Sequence, residues 1–247
     1  MGKYVIQNGK ILLNGFDLSG DHNQIGLTVA REERDVTTFG KAGVQRIAGM
    51  QSFEVSGSGF FEAGTGKIDT VVAPNLGTSG AELTILPQGT SVGSKAFIGE
   101  INTFEYAPGG SVGDAMGFTF AGRSEGTVLV DGTVLKSGAV STSGTGTILN
   151  LGQIASGRFG YGILHVTATS GNGGTQTLDV KIQSDSTTGF ISPTTHISFT
   201  QVGNAVASQW KATTATSTTD SYWRARWVSA GVSEGFTFYV SFGISYL

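Results

Sequence analysis

The stretch Phe236-Thr237-Phe238-Tyr239-Val240-Ser241-Phe242-Gly243-Ile244-Ser245-Tyr246 decides the fold class. Phe236, Phe238, Val240, Phe242, Ile244 and Tyr246 occupy every second position, opposite Thr237, Tyr239, Ser241 and Ser245. Side chains alternate across a strand, so a period of two gives a β-strand with one apolar face. Such a stripe requires cover from another sheet or from a neighbouring subunit. The pattern recurs upstream. Ile25, Leu27 and Val29 alternate with smaller or polar residues, and Leu178, Val180 and Ile182 oppose Asp179, Lys181 and Gln183.

Glycine and proline refine this reading. Phe53 and Val55 continue through Gly57 and Gly59 to Phe61, and glycines inside a strand imply a bulge or a close backbone approach. Val128 to Val130 and Thr133 to Leu135 flank Asp131-Gly132, which predicts a two-residue hairpin. Only Lys67 to Leu76 has helical spacing, through Ile68, Val71 and Val72, and Pro74 and Gly77 limit it to about two turns. The expectation is an all-β chain with one short helix.

Composition excludes several classes. The 247 residues include 39 Gly but only 4 Pro, without the period of three that collagen needs. Fifteen Phe, 6 Tyr and 3 Trp supply real cores, against disorder. With no Cys, neither disulfides nor thiolate zinc sites can form. No apolar run is long enough to span a bilayer, and residues 1–20 contain no leader-like apolar core, so no membrane insertion is expected. A formal charge of −3 gives no basic footprint for tight nucleic-acid binding.

Charge also divides the chain. Met1 to Val140 carries 10 Lys/Arg against 14 Asp/Glu, whereas the remainder carries 5 against 4. The change falls at the Ser/Thr/Gly tract from Ser137 to Thr147, which reads as a linker or long loop. Two domains are expected, residues 1–138 and 139–247.

No coherent reaction emerges. Gly64, Gly66 and Lys67 mimic part of a phosphate loop, but Phe61 and Ile68 stand where Gly and Ser/Thr belong. Gly160 and Gly162 begin a dinucleotide-like spacing that His165 breaks. His22, His165 and His196 lie far apart in sequence, and His165 reads as a hydrogen-bonded strand histidine. Asp17 and Asp21 suit turn capping better than a calcium loop, whose later ligands are missing. The chain is expected to be no enzyme and to need no cofactor or metal.

Three segments stand out as interface candidates. Arg31, Glu32, Glu33, Arg34 and Asp35 form a dense mixed-charge run that can serve as a solvated turn or set the register of a repeated contact. The following loop, Gly40 to Met50, carries Lys41, Arg46, Ile47 and Met50 among small residues, and Phe39 precedes it. In Tyr222 to Trp227, alternation puts Trp223 and Trp227 on one face and Arg224 and Arg226 on the other. These read either as a core pair with solvated arginines or as a surface for glycans or nucleic acid.

The order of segments in the first part resembles the major tail tube proteins of long-tailed bacteriophages. Lys10 to Leu13 opens it, followed by Gly15-Phe16-Asp17-Leu18-Ser19-Gly20, the strand Ile25 to Val29 and the charged run. Then come Val36-Thr37-Thr38-Phe39-Gly40, Gln45-Arg46-Ile47-Ala48-Gly49-Met50 and the strand Ser52 to Phe61. The resemblance covers roughly Gly9 to Gly126.

The resemblance implies a tail-tube-like β-sandwich or barrel with a short flanking helix, followed by a second β-sandwich domain. It implies homo-oligomeric rings, hexameric by preference or trimeric, stacked into a virion tail tube that passes DNA without binding it specifically. Tail terminator and baseplate or distal tail proteins are the implied partners, and assembly would take place in the host cytoplasm. The loop Arg34 to Met50 is implied to reach neighbouring subunits and rings, its few charges setting register and Phe39, Ile47 and Met50 anchoring it. A net negative first part suits a lumen that repels the DNA backbone. The second part is either an outer decoration or a second tube-like domain. A capsid decoration protein and a glycan-binding adhesion module are the alternatives.

Overall fold

A computed structural model describes residues 8–170, 175–213, 217–231 and 235–246. Residues 1–7, part of the segment read for a leader, and the Tyr246 side chain lie outside the described set. In chain order the strands are β1 (Lys10–Leu13), β2 (Phe16–Asp17), β3 (His22–Asp35) and β4 (Arg46–Phe60). Helix α1 (Ile68–Val72) follows, running into a tight turn at Ala73–Asn75. Then come β5 (Ala81–Leu86), β6 (Lys95–Gly109), β7 (Gly117–Ser124), β8 (Val130–Lys136), β9 (Ala139–Val140), β10 (Gly144–Thr145) and β11 (Leu149–Asn150). The last are β12 (Arg158–Ser170), β13 (Thr177–Asp185), β14 (Thr194–Ser198), β15 (Ala207–Ala212), β16 (Tyr222–Ala230) and β17 (Gly235–Tyr246). The chain is all-β with one short helix, where the Ile68, Val71 and Val72 spacing puts it.

The larger sheet runs β15-β12-β17-β8-β6-β5-β1-β2. Strand β6 forks it. Its first half pairs with β5 and β8, and its second half pairs with β7, which leads on to β4 and then β3. The sheet curls into a half-barrel filled by Leu86, Ala96, Ile98, Val130, Val134, Tyr161 and Ile163. Curling brings the β1–β2 turn against β15. Gly15 has φ +83°, and a Cβ there would stand 2.8 Å from Ala207 O, so only glycine permits this approach. Ser208 Oγ of β15 donates to Glu82 Oε2 of β5 at 2.7 Å and fastens the same seam.

A second sheet, β14-β13-β16 with β10 and β11 on the far edge of β16, covers the outside of β12 and β17. Here the apolar stripe of the last strand finds its cover. Phe236, Phe238, Val240 and Phe242 are buried, Trp223 stacks on Phe242 at 4.5 Å, and Trp227 meets Phe238 edge-on at 5.8 Å. Another apolar cluster lies under β4, β5, β7 and α1, built from Leu13, Phe53, Val55, Ile68, Leu83 and Phe118 among others.

The Asp131-Gly132 hairpin does not form. Strand β8 runs straight through both residues, and Gly132 lies opposite Gly243 of β17. A Cβ on Gly132 would stand 2.8 Å from Phe242 O, so this glycine serves close strand approach instead of a turn. That β8–β17 pairing carries the larger sheet without interruption from residues before 138 to residues after 139.

Candidate functional site

Near the body of the molecule, β3 and β4 are tied down. Ile25 and Leu27 pack against the cluster holding Phe53 and Val55, and β4 pairs with β7 from Glu54 to Phe60. The glycines in β4 make close packing possible, since a Cβ on Gly59 would overlap Asp21 O and one on Gly57 would overlap Phe120. Beyond Glu54 β7 ends, yet the β3–β4 ladder continues out to Asp35↔Arg46. A two-stranded arm results, and every residue from 28 to 48 is exposed.

The arm is internally well made. Its turn is closed by Val36 N–H donating to Gln45 O at 2.9 Å and Gln45 N–H donating to Thr37 Oγ1 at 2.8 Å. Thr37 N–H donates to Asp35 Oδ1 at 2.8 Å, and hydrogen bonds from Thr37 hold the Asp35 carboxyl below its ordinary range. Arg34 pairs with Glu32 at 2.7 Å, and Arg46 reaches across the ladder to Glu33 at 3.3 Å. Solvent-exposed pairs of this kind contribute about 1 kcal/mol or less, so they fix register more than stability. Because β4 begins at Arg46, the connecting loop is residues 36–45 only. The segment 46–50, read from sequence as loop, is strand because it keeps pairing with β3.

All ten residues expected at a subunit contact therefore share this one projection: Arg31, Glu32, Glu33, Arg34, Asp35, Phe39, Lys41, Arg46, Ile47 and Met50. Phe39 is 109% exposed and Met50 82%, with Val36, Val44 and Ile47 also open to solvent. A groove of about 450 Å³ at the arm's root is lined by Arg31, Met50, Gln51, Ser124, Thr127 and Val128.

The Tyr222 to Trp227 segment resolves differently. Trp223 and Trp227 are buried in the sandwich core, their indole N–H groups donating to Gly152 O at 2.8 Å and Thr142 O at 2.9 Å. Neither ring offers a face to solvent, so a sugar platform built on these two rings does not exist. Arg224 lies over the Phe190 ring at 4.1 Å and donates to Gln183 Oε1, while Arg226 is exposed.

Sequence spacing concealed one constellation. Ser184 Oγ lies 2.7 Å from His196 Nε2 and 2.6 Å from Asp220 Oδ2. Burial moves the His196 pKa down, and Asp220 opposes that shift. The Ser184 hydroxyl has one proton, which goes to the carboxylate, so His196 Nε2 must be the donor to Oγ. A histidine that donates to the serine cannot take its proton, and Ser184 is fully buried. The group joins β13, β14 and the segment before β16 as a structural network. Among the described residues no group of three or more His, Cys, Asp or Glu side chains could hold a metal ion.

At the half-barrel's seam, Glu82 and Glu100 lie directly opposite on β5 and β6, with Glu125 nearby. Burial, then Glu82, then Glu125 push the Glu100 carboxyl up to about 7.

No family model and no curated protein matches the chain. Among solved structures it is similar to a chain in the virion of a native gene transfer agent particle, with a TM-score of 0.39 and 18% identity over 48% of this chain and 94% of that one. It is also similar to a chain in the tail of an empty gene transfer agent particle with C6 symmetry, at 0.38 and 18% over 47% and 92%. A third likeness is to the SPP1 Dit protein, described as a paradigm of the hub adsorption apparatus in phages infecting Gram-positive hosts. It scores 0.37 with 9% identity over 97% of this chain and all of that one.

Proposed function

We propose that the chain is a structural subunit of a phage tail that assembles into stacked rings, forming the tube through which the genome leaves. One observation carries this reading: the β3–β4 arm, exposed from residue 28 to 48 and tipped with Phe39. A two-stranded ribbon is marginal in water by itself. Its open edges and apolar side chains invite pairing with another chain. A monomeric protein gains nothing from such an arm, whereas a repeated subunit gains a register-setting contact. A second copy is the occupant this reading assigns to it, in hexameric rings by preference, with trimers as the variant. The net negative first half suits a wall past which DNA slides.

Capsid decoration is the weaker reading because it does not call for an arm of this length, and the buried Trp223 and Trp227 remove the basis for the glycan reading. Negative-stain electron microscopy of purified protein across a concentration series tests the proposal. Stacked rings with a central channel are expected, and single rings that never stack would place the subunit at an end of the tail. Discrete monomers or trimers that bind added capsids would overturn it. The double variant R34E/R46E, altering only exposed side chains, is expected to keep its melting temperature and lose assembly.

A further inference from the structure

The outer face of the second sheet carries a row of side chains that the fold does not need. Ser198 of β14, Lys181 of β13, Arg226 of β16 and Thr145 of β10 stand opposite one another on four neighbouring strands. All four are exposed, on the face away from the buried Val180, Ile182 and Trp227. At ~4.8 Å between strands the row is about 14 Å long. Its centre sets Lys181 directly against Arg226, and like charges so placed destabilise a ladder. Neither makes an ion pair among the described residues.

Two further cations border the row. Lys211 of β15 reaches across and donates to Ser198 O at 2.9 Å. Arg224 stands two residues from Arg226 on β16, about 7 Å away at ~3.3 Å per residue. Its Nε–H and one Nη2–H donate to Gln183 Oε1 at 3.3 and 3.2 Å, and its guanidinium lies 4.1 Å from the centre of the Phe190 ring. A guanidinium has five N–H donors, so three stay available to a ligand. The support is strained. Phe190 has φ +46°, which a bulky side chain rarely adopts, and it is held there by burial and by Asp185 accepting from Thr187 and Ser192 N–H in the same loop.

Acids do not balance these cations. Residues 141–247 hold five Lys/Arg, and four of them meet here. Asp185 is 6% exposed beneath its loop, and Asp220 is bonded to Ser184 inside. Asp179 shares the face but bounds it at one end, opposite Val228, where Gln201 Nε2 donates to it at 2.8 Å.

The occupant must be anionic, and two observations narrow its chemistry. Cations about 5–7 Å apart, with a hydroxyl at each end of the row, suit a chain carrying one charge every several bonds and free hydroxyls between them. Trp223 and Trp227, the rings of this sheet that could stack nucleobases or sugars, are buried. We propose that the outer face of β13 and β16 binds the phosphodiester chain of a simple polyol, its phosphates seated on Lys181, Arg226 and Arg224. The site goes beyond the tail-subunit reading and does not depend on assembly.

Fluorescence anisotropy of the full-length protein with a labelled glycerol phosphate oligomer tests the proposal. Three phosphates on a flexible strand predict a slope of log K against log[salt] of about −2. K181Q and R226Q are each expected to weaken binding about tenfold or more. Each also removes one of two facing like charges, so neither should melt below wild type. Unchanged binding by K181Q/R226Q, or no binding by wild type at low salt, would overturn the site. A clear fall in melting temperature would mark the pair as structural and overturn it equally. Oligothymidylate and a heparin fragment of equal charge are expected to bind more weakly; equal or tighter binding by either would overturn the polyol assignment. R34E/R46E is expected to bind the oligomer as wild type does, and K181Q/R226Q to assemble as wild type does, so failure of one reading leaves the other standing.

Discussion

Thr84 Oγ1 and His165 Nε2 stand 2.9 Å apart in a fully buried contact between residues 81 positions apart. Gly15 N–H points at the other ring nitrogen, 3.3 Å from Nδ1. Since Nδ1 accepts, the proton sits on Nε2 and is donated to Thr84. One neutral tautomer thus stitches β12 to β5 and to the β1–β2 turn. A proton on Nδ1 would face a backbone donor, and burial alone already moves the imidazole down to about 3.

The sign of the pH effect follows. The unfolded chain takes up this proton near 6.5 and the folded chain only near 3. The contribution to stability is whole above 6.5 and is lost as the pH falls toward 3. The slope can reach about 1.4 kcal/mol per pH unit in that window. The variant H165Q can keep one donor and one acceptor but cannot titrate. Its melting temperature is expected to fall less than that of wild type between pH 6.5 and 4; parallel curves would refute the assignment.

Glu100 acts in the opposite sense. Its folded carboxyl is raised to about 7 from 4.5, so the unfolded chain ionises first. Stability is therefore withdrawn as pH climbs from 4.5 to 7 and stays withdrawn above it. E100Q is expected to melt higher than wild type at pH 8 and at the same temperature at pH 4.5. A gain of equal size at both values would trace the effect to packing.

Much of this was legible beforehand, and the limits have a physical cause. Alternation reveals which residues of a strand share a face, so the Phe236 to Phe242 stripe and the common face of Trp223 and Trp227 could be read directly, whereas burial of that tryptophan face could not. Alternation does not reveal partners. That β17 would pair with β8, more than 100 positions earlier, depends on sheet curl, and the same pairing absorbed Asp131-Gly132 into a strand. Ser184, His196 and Asp220 were invisible for the same reason, since only the β13–β14 and β13–β16 ladders bring them together. The short α1 was readable because helical spacing is local.

Close strand approach predicts sharply different costs among glycines. G59A forces a methyl into Asp21 O, and G132A places one 2.8 Å from Phe242 O, both against backbone that cannot step aside. Each is expected to destabilise by about 1–3 kcal/mol or more. At Gly20 and Gly43 a methyl meets nothing within 4 Å, and the alanine variants should melt within a degree or two of wild type. Urea titrations of the four variants check this ordering.

Trp223 anchors the second sheet through its stacking on Phe242 and its hydrogen bond to Gly152 O. W223A leaves a cavity and an unpaired carbonyl, and should cost about 3–5 kcal/mol. W223F keeps most of the stacking area and should cost less. Because both Trp223 and Trp227 are shielded, their fluorescence should be blue-shifted, resist iodide quenching and remain unchanged on adding sugars. Quenching of these two rings in the otherwise Trp-free W210F variant would contradict the buried placement.

The continuous sheet bears on how far the chain can be divided. Residues 1–138 hold one apolar cluster and residues 139–247 supply nearly all of another, which favours two folding units. Yet the half-barrel core draws Ile98, Val130 and Val134 from the first part and Tyr161 and Ile163 from the second. Cutting the chain at 138 exposes that cluster and opens the β8 edge along Gly132 to Lys136. An open apolar edge favours aggregation. Expressed alone, 1–138 should therefore be poorly soluble. Co-expression with 139–247 should recover a soluble one-to-one complex by size-exclusion chromatography. Two halves that are each soluble and monomeric, with no affinity for one another, would mean that the β8–β17 ladder contributes little to folding.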